Sequence, residues 1–234
     1  MLKRDSSFSI LDIFKGDNLR SFGSGLVLLG LAFVFEHFAD VYALSWSLRP
    51  TSTYVGDLLL DNLPVINLNF LIIECVLVAI VVGVIFAIIY RPRYILFGMK
   101  AVALLIITRA FFISLTHVGI YPAHIEPGVG IFDSIYLYLN FNTGFFFSGH
   151  TSVPFLIALI FWERLPERVV ALTVSAVLGI AVLLAHIHYS IDVFAAPFMA
   201  YGVFHIARRF FPRDYALVRS STRESQAFLS DVKV

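Results

Sequence analysis

The sequence predicts an all-α, polytopic integral membrane protein with about six transmembrane helices. Of its 234 residues, 59% are hydrophobic and only 14% are charged, whereas a soluble globular domain is about 45–50% apolar and about 25% charged. The apolar residues form blocks close to the roughly 20 residues that one helix needs to cross a bilayer. Barrel strands would be about ten residues long and would alternate apolar with polar residues. The blocks lack that alternation, so helices are favoured and a soluble domain is excluded.

Polar and charged residues mark where each predicted span begins or ends. The first span follows Arg20, and the second and third are separated by Arg91 and Arg93. The segment 163–168 separates the fourth span from the fifth, and the segment 186–189 separates the fifth from the sixth. The predicted spans are 23–43, 68–90, 95–117, 145–162, 168–186 and 189–208. Together they make one membrane domain, residues 23–211.

Basic residues are concentrated on one predicted side of the membrane. Fifteen of the 17 Lys and Arg residues lie in the N-terminal tail, beside the turns that join spans two to three and four to five, or in the C-terminal stretch from Arg208 onward. Of the other two, Arg49 lies on the opposite side and Arg109 lies within the third span. Because excess Lys and Arg mark the cytoplasmic side, we expect both tails, 1–22 and 212–234, to be cytoplasmic. The extracytoplasmic loops are then 44–67, 118–144 and 186–189.

Two polar clusters are candidates for chemistry, since ionisable groups inside a bilayer are costly and usually functional. The first is Ser148-Gly149-His150-Thr151, where the long outer loop enters the fourth span. The second is His186–Asp192, where the fifth span turns into the sixth. Both fall at the extracytoplasmic face in a topology that Lys and Arg alone assign.

The spacing of His188 and Asp192 predicts an oriented imidazole. Residues four apart on a helix share one face, so the carboxylate can hold one ring nitrogen as N–H and leave the other free to attack. His150 could supply the proton that a leaving group needs, and the Arg109 guanidinium could bind a phosphate in bidentate fashion. This combination suits phosphoryl transfer through a phosphohistidine.

Other polar side chains near the outer ends of the spans could line the same site. These possible lining residues are Glu36 and His37 in the first span, Glu74 in the second and Tyr189 beside His188. An unpaired charge is expensive at the depth of Arg109, so we expect it to meet either Glu74 or a substrate phosphate. Asp40 is interpreted as an interfacial residue, and the aromatic runs 136–138 and 145–147 as an interfacial belt.

Some of these residues could have simpler roles. Ser148 could merely cap the fourth helix. His186, His188 and Asp192 could in principle bind a metal, but ligands from a single turn leave such a site incomplete. We therefore predict neither a metal nor another cofactor.

The two clusters resemble the motifs of a known enzyme family. The strings FFFSGHTS at 145–152 and LLAHIHYSIDV at 183–193 are similar to the SGHT and HYTxDV motifs of the sphingomyelin synthase branch of the type 2 phosphatidic acid phosphatase superfamily. A third family motif, an Arg followed seven residues later by Thr, is matched by Arg109 and Thr116. The resemblance implies a six-helix bundle with an outward-facing active site.

The resemblance also implies roles for individual residues. His188 would be the nucleophile, Asp192 its orienting carboxylate and His150 the proton donor. The phosphate-binding residues would be Arg109, Ser148 and Gly149.

The chain departs from the family pattern at several positions. The branch usually has Cys-Gly-Asp where this chain has Asn142-Thr143-Gly144, and Ser190 and Pro197 replace a Thr and a Tyr. The wider superfamily has a Lys and an Arg at the positions of Val84 and Val182. The resemblance therefore indicates the chemistry more firmly than the substrate.

These observations predict a lipid phosphotransferase or phosphatase acting at the extracytoplasmic leaflet. The acceptor is a lipid hydroxyl, as in sphingomyelin synthases, or alternatively water. Membrane lipids are the expected partners and nucleic acid is not, while headgroup, acyl chains and oligomeric state are left open. A proton-relaying transporter would show repeated halves or broken helices, which the sequence lacks. A catalytically dead scaffold would not need intact His150, His188 and Asp192.

The charge asymmetry yields a topology prediction. In a chain carrying Cys75→Ser, a membrane-impermeant thiol reagent applied to intact cells should label Gly130→Cys and spare Leu165→Cys. The reason is that position 130 lies in a predicted outer loop and position 165 in a basic, predicted cytoplasmic turn. Labelling of position 165 alone would show that the topology is the reverse of the predicted one.

Overall fold

Helices make up the regular structure of the described chain. The computed structural model describes residues 8–126, 130–132, 134 and 146–220. The main helices are α1 (Gly16–Ser47), α2 (Cys75–Tyr90), α3 (Pro92–Leu115), α4 (Gly149–Ile160), α5 (Leu165–Leu184) and α6 (Ser190–Phe210). A 3₁₀ turn (Ile10–Phe14) precedes α1, a π-helical turn (Phe70–Glu74) opens α2, and a helical segment at 212–220, here α7, follows α6. No strand occurs in these described ranges, and the all-α prediction is confirmed.

Within the described part of the chain, five helical stretches are long and apolar enough to cross a bilayer: α1, Phe70–Tyr90, α3, α5 and α6. The chain is therefore an integral membrane protein. The fourth predicted span, 145–162, differs from the structure, because α4 has only 12 residues. At about 1.5 Å per residue it is about 18 Å long, shorter than a hydrocarbon core of about 30 Å. Helix α4 alone is therefore too short to cross the hydrocarbon core.

Small side chains allow α1 to pack closely along α3. Gly25, Ala32, Ala39 and Ala43 are among the buried residues of α1. Two of them, Ala39 and Ala43, form an apolar cluster with Ala110 and Ile113 of α3. Small residues bring helix backbones together in membranes, where van der Waals packing replaces the hydrophobic drive. The α1 face that carries them is therefore fixed against α3.

Helix α4 packs against both α5 and α6, which hold it inside the bundle. Its Leu156 is fully buried in a cluster that includes Phe97 of α3 and Phe204 of α6. Helix α2 contrasts with it, because none of the residues Cys75–Tyr90 is buried. The stretch Phe70–Tyr90 has the highest mean hydropathy of the candidate spans, 3.2, so α2 is suited to an edge position facing lipid.

Two connecting segments close the end of the bundle where α5 meets α6. The Ile66 amide donates to the Leu184 carbonyl (2.8 Å), and the Ile125 amide donates to the Ala185 carbonyl (3.2 Å). These bonds satisfy carbonyls at the end of α5 that have no partner within the helix. The α5–α6 turn is thus held from outside by the segments 48–69 and 116–126.

The opposite end of the bundle is tied by buried ion pairs. Lys100 Nζ of α3 lies 2.6 Å from Asp214 Oδ2 of α7, and the Ser21 hydroxyl of α1 also donates to Asp214 (2.6 Å). Arg91 pairs with Glu167 at 2.6 Å. The first part of the predicted C-terminal tail is therefore a helix docked onto the membrane domain.

Candidate active site

His188 and Asp192 form a buried pair at the start of α6. His188 Nδ1 lies 3.3 Å from Asp192 Oδ2, and the two side chains are only 4% and 2% exposed. Asp192 Oδ2 also accepts the Tyr189 amide (3.1 Å), and Oδ1 accepts the Phe146 amide (3.0 Å). The carboxylate is thus fixed from two segments of the chain. With Nδ1 held by Asp192, the other ring nitrogen of His188, Nε2, is the one left for chemistry.

A tight turn after α5 places His188 beside Asp192. The His186 amide donates to the Leu183 carbonyl and the Ile187 amide to the Val182 carbonyl, each at 3.0 Å. This is the Schellman pattern that ends many helices, with a left-handed residue just beyond the last turn. That residue is His186, at φ 53°.

His186 does not join His188 in a metal site. Its ring is 3% exposed, packs edge-on against Tyr121 with ring centroids 5.2 Å apart, and has neither nitrogen hydrogen-bonded to a described residue. In the described part of the chain, no group of three or more His, Cys, Asp or Glu side chains is arranged to hold a metal.

The two sequence motifs meet at the N-terminus of α4. The Ser148 amide donates to the Asp192 backbone carbonyl (3.0 Å), which ties α4 to α6. The His150 and His188 rings face each other with centroids 6.2 Å apart. Ser148 is fully buried and occupies the N-cap position, but its hydroxyl caps no backbone amide. The alternative in which Ser148 acts as a side-chain cap is therefore wrong.

Arg109 approaches the same helix end from α3. Its Nε donates to the Phe147 carbonyl (3.0 Å), and its Nη1 pairs with the Glu36 carboxylate of α1. A Cβ atom added to Gly149 would lie 3.7 Å from Arg109 Nε, so the glycine leaves the guanidinium uncovered on that side. A helix N-terminus beside a guanidinium suits an anion, because the backbone amides and the helix dipole both favour negative charge.

The carboxylate that pairs with Arg109 is Glu36, not Glu74. Glu74 ends the π-helical turn, is half-buried and forms no ion pair with a described residue. The spacing of small residues in α1 explains the difference. Glu36 lies four residues after Ala32 and three before Ala39, on the face that packs against α3. This spacing of small residues could have identified Glu36 from the sequence as the partner of Arg109.

Three other predicted positions have different roles in the structure. His37 lies on the exposed face of α1, about 100° around the helix from Glu36, so it does not line the buried site. The Tyr189 hydroxyl donates to the Gly119 carbonyl (2.8 Å) and thereby anchors the segment 116–126. Phe147 is fully buried, so the interfacial-belt interpretation is wrong for it. The run 136–138, Phe145 and Asn142-Thr143-Gly144 lie outside the described residues.

Thr116, the second member of the Arg/Thr motif, does not reach the site. Its hydroxyl donates to the Phe112 carbonyl (2.8 Å) at the end of α3. Asp40, interpreted as interfacial, is instead 1% exposed on the same buried α1 face as Glu36.

Asp57 is a residue near the site that the sequence analysis did not single out. Its Oδ2 accepts the Ser190 amide at the first turn of α6 (2.7 Å), and its Oδ1 accepts the Leu59 amide (2.9 Å). Burial raises the pKa of Asp57, but the hydrogen bonds from Ser190, Leu60 and Leu59 outweigh it and lower the pKa below the ordinary value. A carboxylate at this helix start is stabilised by the dipole and fixes the helix that carries Asp192.

His124 is a third histidine near the pair, also missed in the sequence. It comes from the segment 116–126, and its Nδ1 lies 3.4 Å from the His186 carbonyl. Burial lowers the pKa of His124, and the nearby His188 lowers it further, although Glu126 acts in the opposite direction. His124 therefore stays neutral at physiological pH.

One comparison with known proteins bears on the site. Residues 143–209 match the family model described as PAP2 superfamily C-terminal. The matched stretch contains His150, His188 and Asp192 but covers under a third of the chain. The match supports the PAP2 superfamily, whose members are generally phosphatases and phosphotransferases, and does not reach the sphingomyelin synthase branch. No curated protein and no solved structure matches the chain.

The Glu36–Arg109 pair generates a stability prediction. Glu36→Gln leaves a buried guanidinium without its carboxylate, which typically costs about 3–5 kcal/mol, so thermal unfolding in detergent should occur at a clearly lower temperature. Glu163→Gln is the matched control, since it makes the same substitution at an exposed carboxylate that forms no ion pair with a described residue, and it should leave the unfolding temperature unchanged. The double variant Glu36→Gln, Arg109→Gln should recover part of the loss, and additive losses would show that the two side chains are not coupled.

Proposed function

We propose that this chain is a lipid phosphotransferase that works through a phosphohistidine on His188. The donor is a lipid phosphate or phosphodiester, and the acceptor is the hydroxyl of a second lipid, as in sphingomyelin synthases. The observation that carries the proposal is the His188 Nδ1–Asp192 Oδ2 contact of 3.3 Å facing His150 across 6.2 Å between ring centroids. Arg109, beside Gly149, supplies the adjoining anion site.

The first half-reaction transfers the phospho group to the protein. His188 Nε2 attacks phosphorus, the bond from phosphorus to the leaving lipid oxygen breaks, and His150 donates a proton to that oxygen. Asp192 accepts the Nδ1–H of the imidazolium that forms, which stabilises the charge on the ring. The Arg109 guanidinium and the first amides of α4 balance the negative charge on the phosphate oxygens.

The second half-reaction returns the phospho group to an acceptor hydroxyl. His150 now accepts the hydroxyl proton as the acceptor oxygen attacks phosphorus. The P–N bond breaks, and its electron pair returns to His188 Nε2. Both histidines end in their starting protonation states, so the cycle needs no cofactor.

Burial of the reacting groups favours a lipid acceptor over water. His150, His188, Asp192 and Arg109 are at most 9% exposed. A covalent intermediate in such surroundings is shielded from hydrolysis, whereas an acceptor already in the bilayer reaches it without crossing water. Hydrolysis would use the same intermediate, and it would make the protein a lipid phosphate phosphatase.

The proposed leaflet is the extracytoplasmic one. The candidate site lies at the end of the bundle away from Arg91, Lys100 and Arg164, which belong to the basic side of the predicted topology. Because cytoplasmic ends are the basic ones, lipid substrates would reach the site from the other leaflet.

The central prediction is that His188 becomes phosphorylated. Purified protein in lipid nanodiscs is incubated with ³²P-labelled phospholipids of different headgroups, with and without a diacylglycerol or ceramide acceptor. We expect acid-labile, base-stable label on the protein, and labelled product lipid only when the acceptor is present. His188→Ala should abolish both signals because it removes the attacking nitrogen.

The controls separate the competing functions. His150→Ala should slow turnover by about 10²–10⁴-fold, the usual contribution of one positioned acid or base. His186→Ala is the matched control, a buried histidine two residues from the nucleophile that takes no part in the cycle. Release of labelled water-soluble phosphate would favour the phosphatase, and unchanged turnover in His188→Ala would exclude the mechanism.

Arg109 yields a second prediction on activity. Arg109→Lys keeps a positive charge beside Glu36 but loses the planar fork that binds phosphate through two N–H groups. We expect turnover to fall at least about tenfold with little change in unfolding temperature. Full activity in Arg109→Lys, with misfolding in Arg109→Ala, would make Arg109 a structural residue only.

A further inference from the structure

A cavity of about 660 Å³ lies at the end of the bundle opposite the candidate active site. It is formed where the last turns of α4 and α6 meet α7. Arg208, one of its lining residues, is 16 positions beyond Asp192 in α6, which corresponds to about 24 Å along the helix. The cavity is therefore separate from the site that the proposed chemistry uses.

The lining of the cavity changes from apolar to charged along the membrane normal. Tyr201, Phe204 and Arg208 line it from one face of α6, at positions i, i+3 and i+7. Phe155 and Leu159 line it from within α4, whereas Glu163 and Arg219 lie beyond the ends of α4 and α6. This order corresponds to that of a lipid, in which apolar acyl chains are followed by a charged phosphate.

The charged groups at the mouth of the cavity are two arginines and one glutamate. Arg208 stacks over Tyr215 at 4.5 Å and over Phe204 at 5.5 Å. Arg208, Arg219 and Glu163 all line the cavity, and none of the three forms an ion pair with another residue in the described ranges. Their formal charges leave a net +1, which is complementary to one phosphodiester. Two guanidinium groups are well suited to a phosphate, because each presents a planar fork of N–H donors.

The cavity is also open toward the lipid. Tyr201, in the middle of α6, and Trp162, just beyond α4, line it and are 55% and 47% exposed. An amphipathic aromatic ring such as that of Trp162 is typical of the membrane interface. A water-soluble anion would make no favourable contact with the apolar half of the cavity. A lipid entering between the helices would fill both halves.

We propose that this cavity binds one anionic glycerophospholipid from the leaflet opposite the active site. The phosphate lies between Arg208 and Arg219, and the first part of an acyl chain packs against Phe155, Leu159 and Tyr201. Because Arg208 belongs to α6 and Arg219 to α7, the lipid clamps the C-terminal helix to the membrane domain. The inference goes beyond the proposed transfer reaction and does not depend on it.

Native mass spectrometry of the full-length protein tests this inference. Protein in detergent is titrated with phosphatidylglycerol and, separately, with phosphatidylcholine of the same acyl chains. We expect one phosphatidylglycerol to bind at least about tenfold more tightly than phosphatidylcholine. Arg208→Gln together with Arg219→Gln should weaken that binding by about tenfold or more. Arg209→Gln is the matched control, since it neutralises the neighbouring exposed arginine, which does not line the cavity.

Several outcomes would overturn the inference. An equal loss in Arg209→Gln would show general attraction between a basic surface and anionic lipid, and unchanged binding in the double variant would show that the cavity is not the site. Displacement of the lipid by millimolar glycerol 3-phosphate would point to a soluble anion.

Two further sets of variants complete the test. The first distinguishes lipid bound in the cavity from lipid bound at the active site, and the second distinguishes loss of lipid binding from unfolding. Arg109→Gln removes phosphate binding at the candidate active site, so the cavity lipid should remain in that variant, and its loss would place the lipid at the active site. If the double glutamine variant unfolds, Arg208→Lys with Arg219→Lys keeps both charges and should weaken binding to an intermediate degree. Undiminished binding in the lysine pair would contradict the guanidinium contacts.

Discussion

The arrangement of the site depends on the hydrogen bonds of one residue, Asp192. Its carboxylate orients His188 and accepts the amides of Tyr189 and Phe146, while its backbone carbonyl accepts the amide of Ser148. Segments separated by more than 40 residues in the sequence are thus joined at one side chain. In a low-dielectric interior each of these bonds is strong, and leaving any partner unsatisfied is costly. The carboxylate therefore joins these segments and orients the His188 ring through the same set of bonds.

The second constraint is the need to neutralise charge inside a bilayer. Arg109 is buried near the N-terminus of α4, and Glu36 reaches it only because Ala32, Ala39 and Ala43 let α1 approach α3 closely. At the other end, Lys100 and Arg91 are paired in the same manner with Asp214 and Glu167. Buried ion pairs of this kind need not add net stability, but they fix which helix faces meet. Helix α2, which carries no such pair in its Cys75–Tyr90 stretch, is correspondingly at the edge.

Much of the fold follows from the sequence because the bilayer imposes a length and a polarity on each span. Five spans were predicted within a few residues of the helices found, apart from α1, which begins at Gly16 and not at 23. The start of the fourth span was predicted too early. Phe146 and Phe147 continue the apolar pattern of the sequence, but their backbone groups are hydrogen-bonded to Asp192 and Arg109 and lie outside α4. Hydropathy records only side chains, so it cannot reveal a backbone diverted by distant partners. The contributions of Asp57 and His124 were missed for a similar reason, since both residues lie in loops whose folding back over α6 has no local signal.

The shortness of α4 has a consequence for how the protein would meet its substrates. With the C-terminal end of α4 at the cytoplasmic surface, as the proposed topology has it, a helix of about 18 Å would cross only part of a core of about 30 Å. The groups at its N-terminus would then lie below the level of the lipid headgroups, and under the proposed function a phospholipid would be drawn down into the protein. The relevant substrate concentration would be a mole fraction within the membrane plane, and saturation would respond to dilution with inert lipid and not to the volume of the surrounding solution. Substrate would arrive by lateral diffusion in two dimensions, and product would leave by the same route without being dissolved in water.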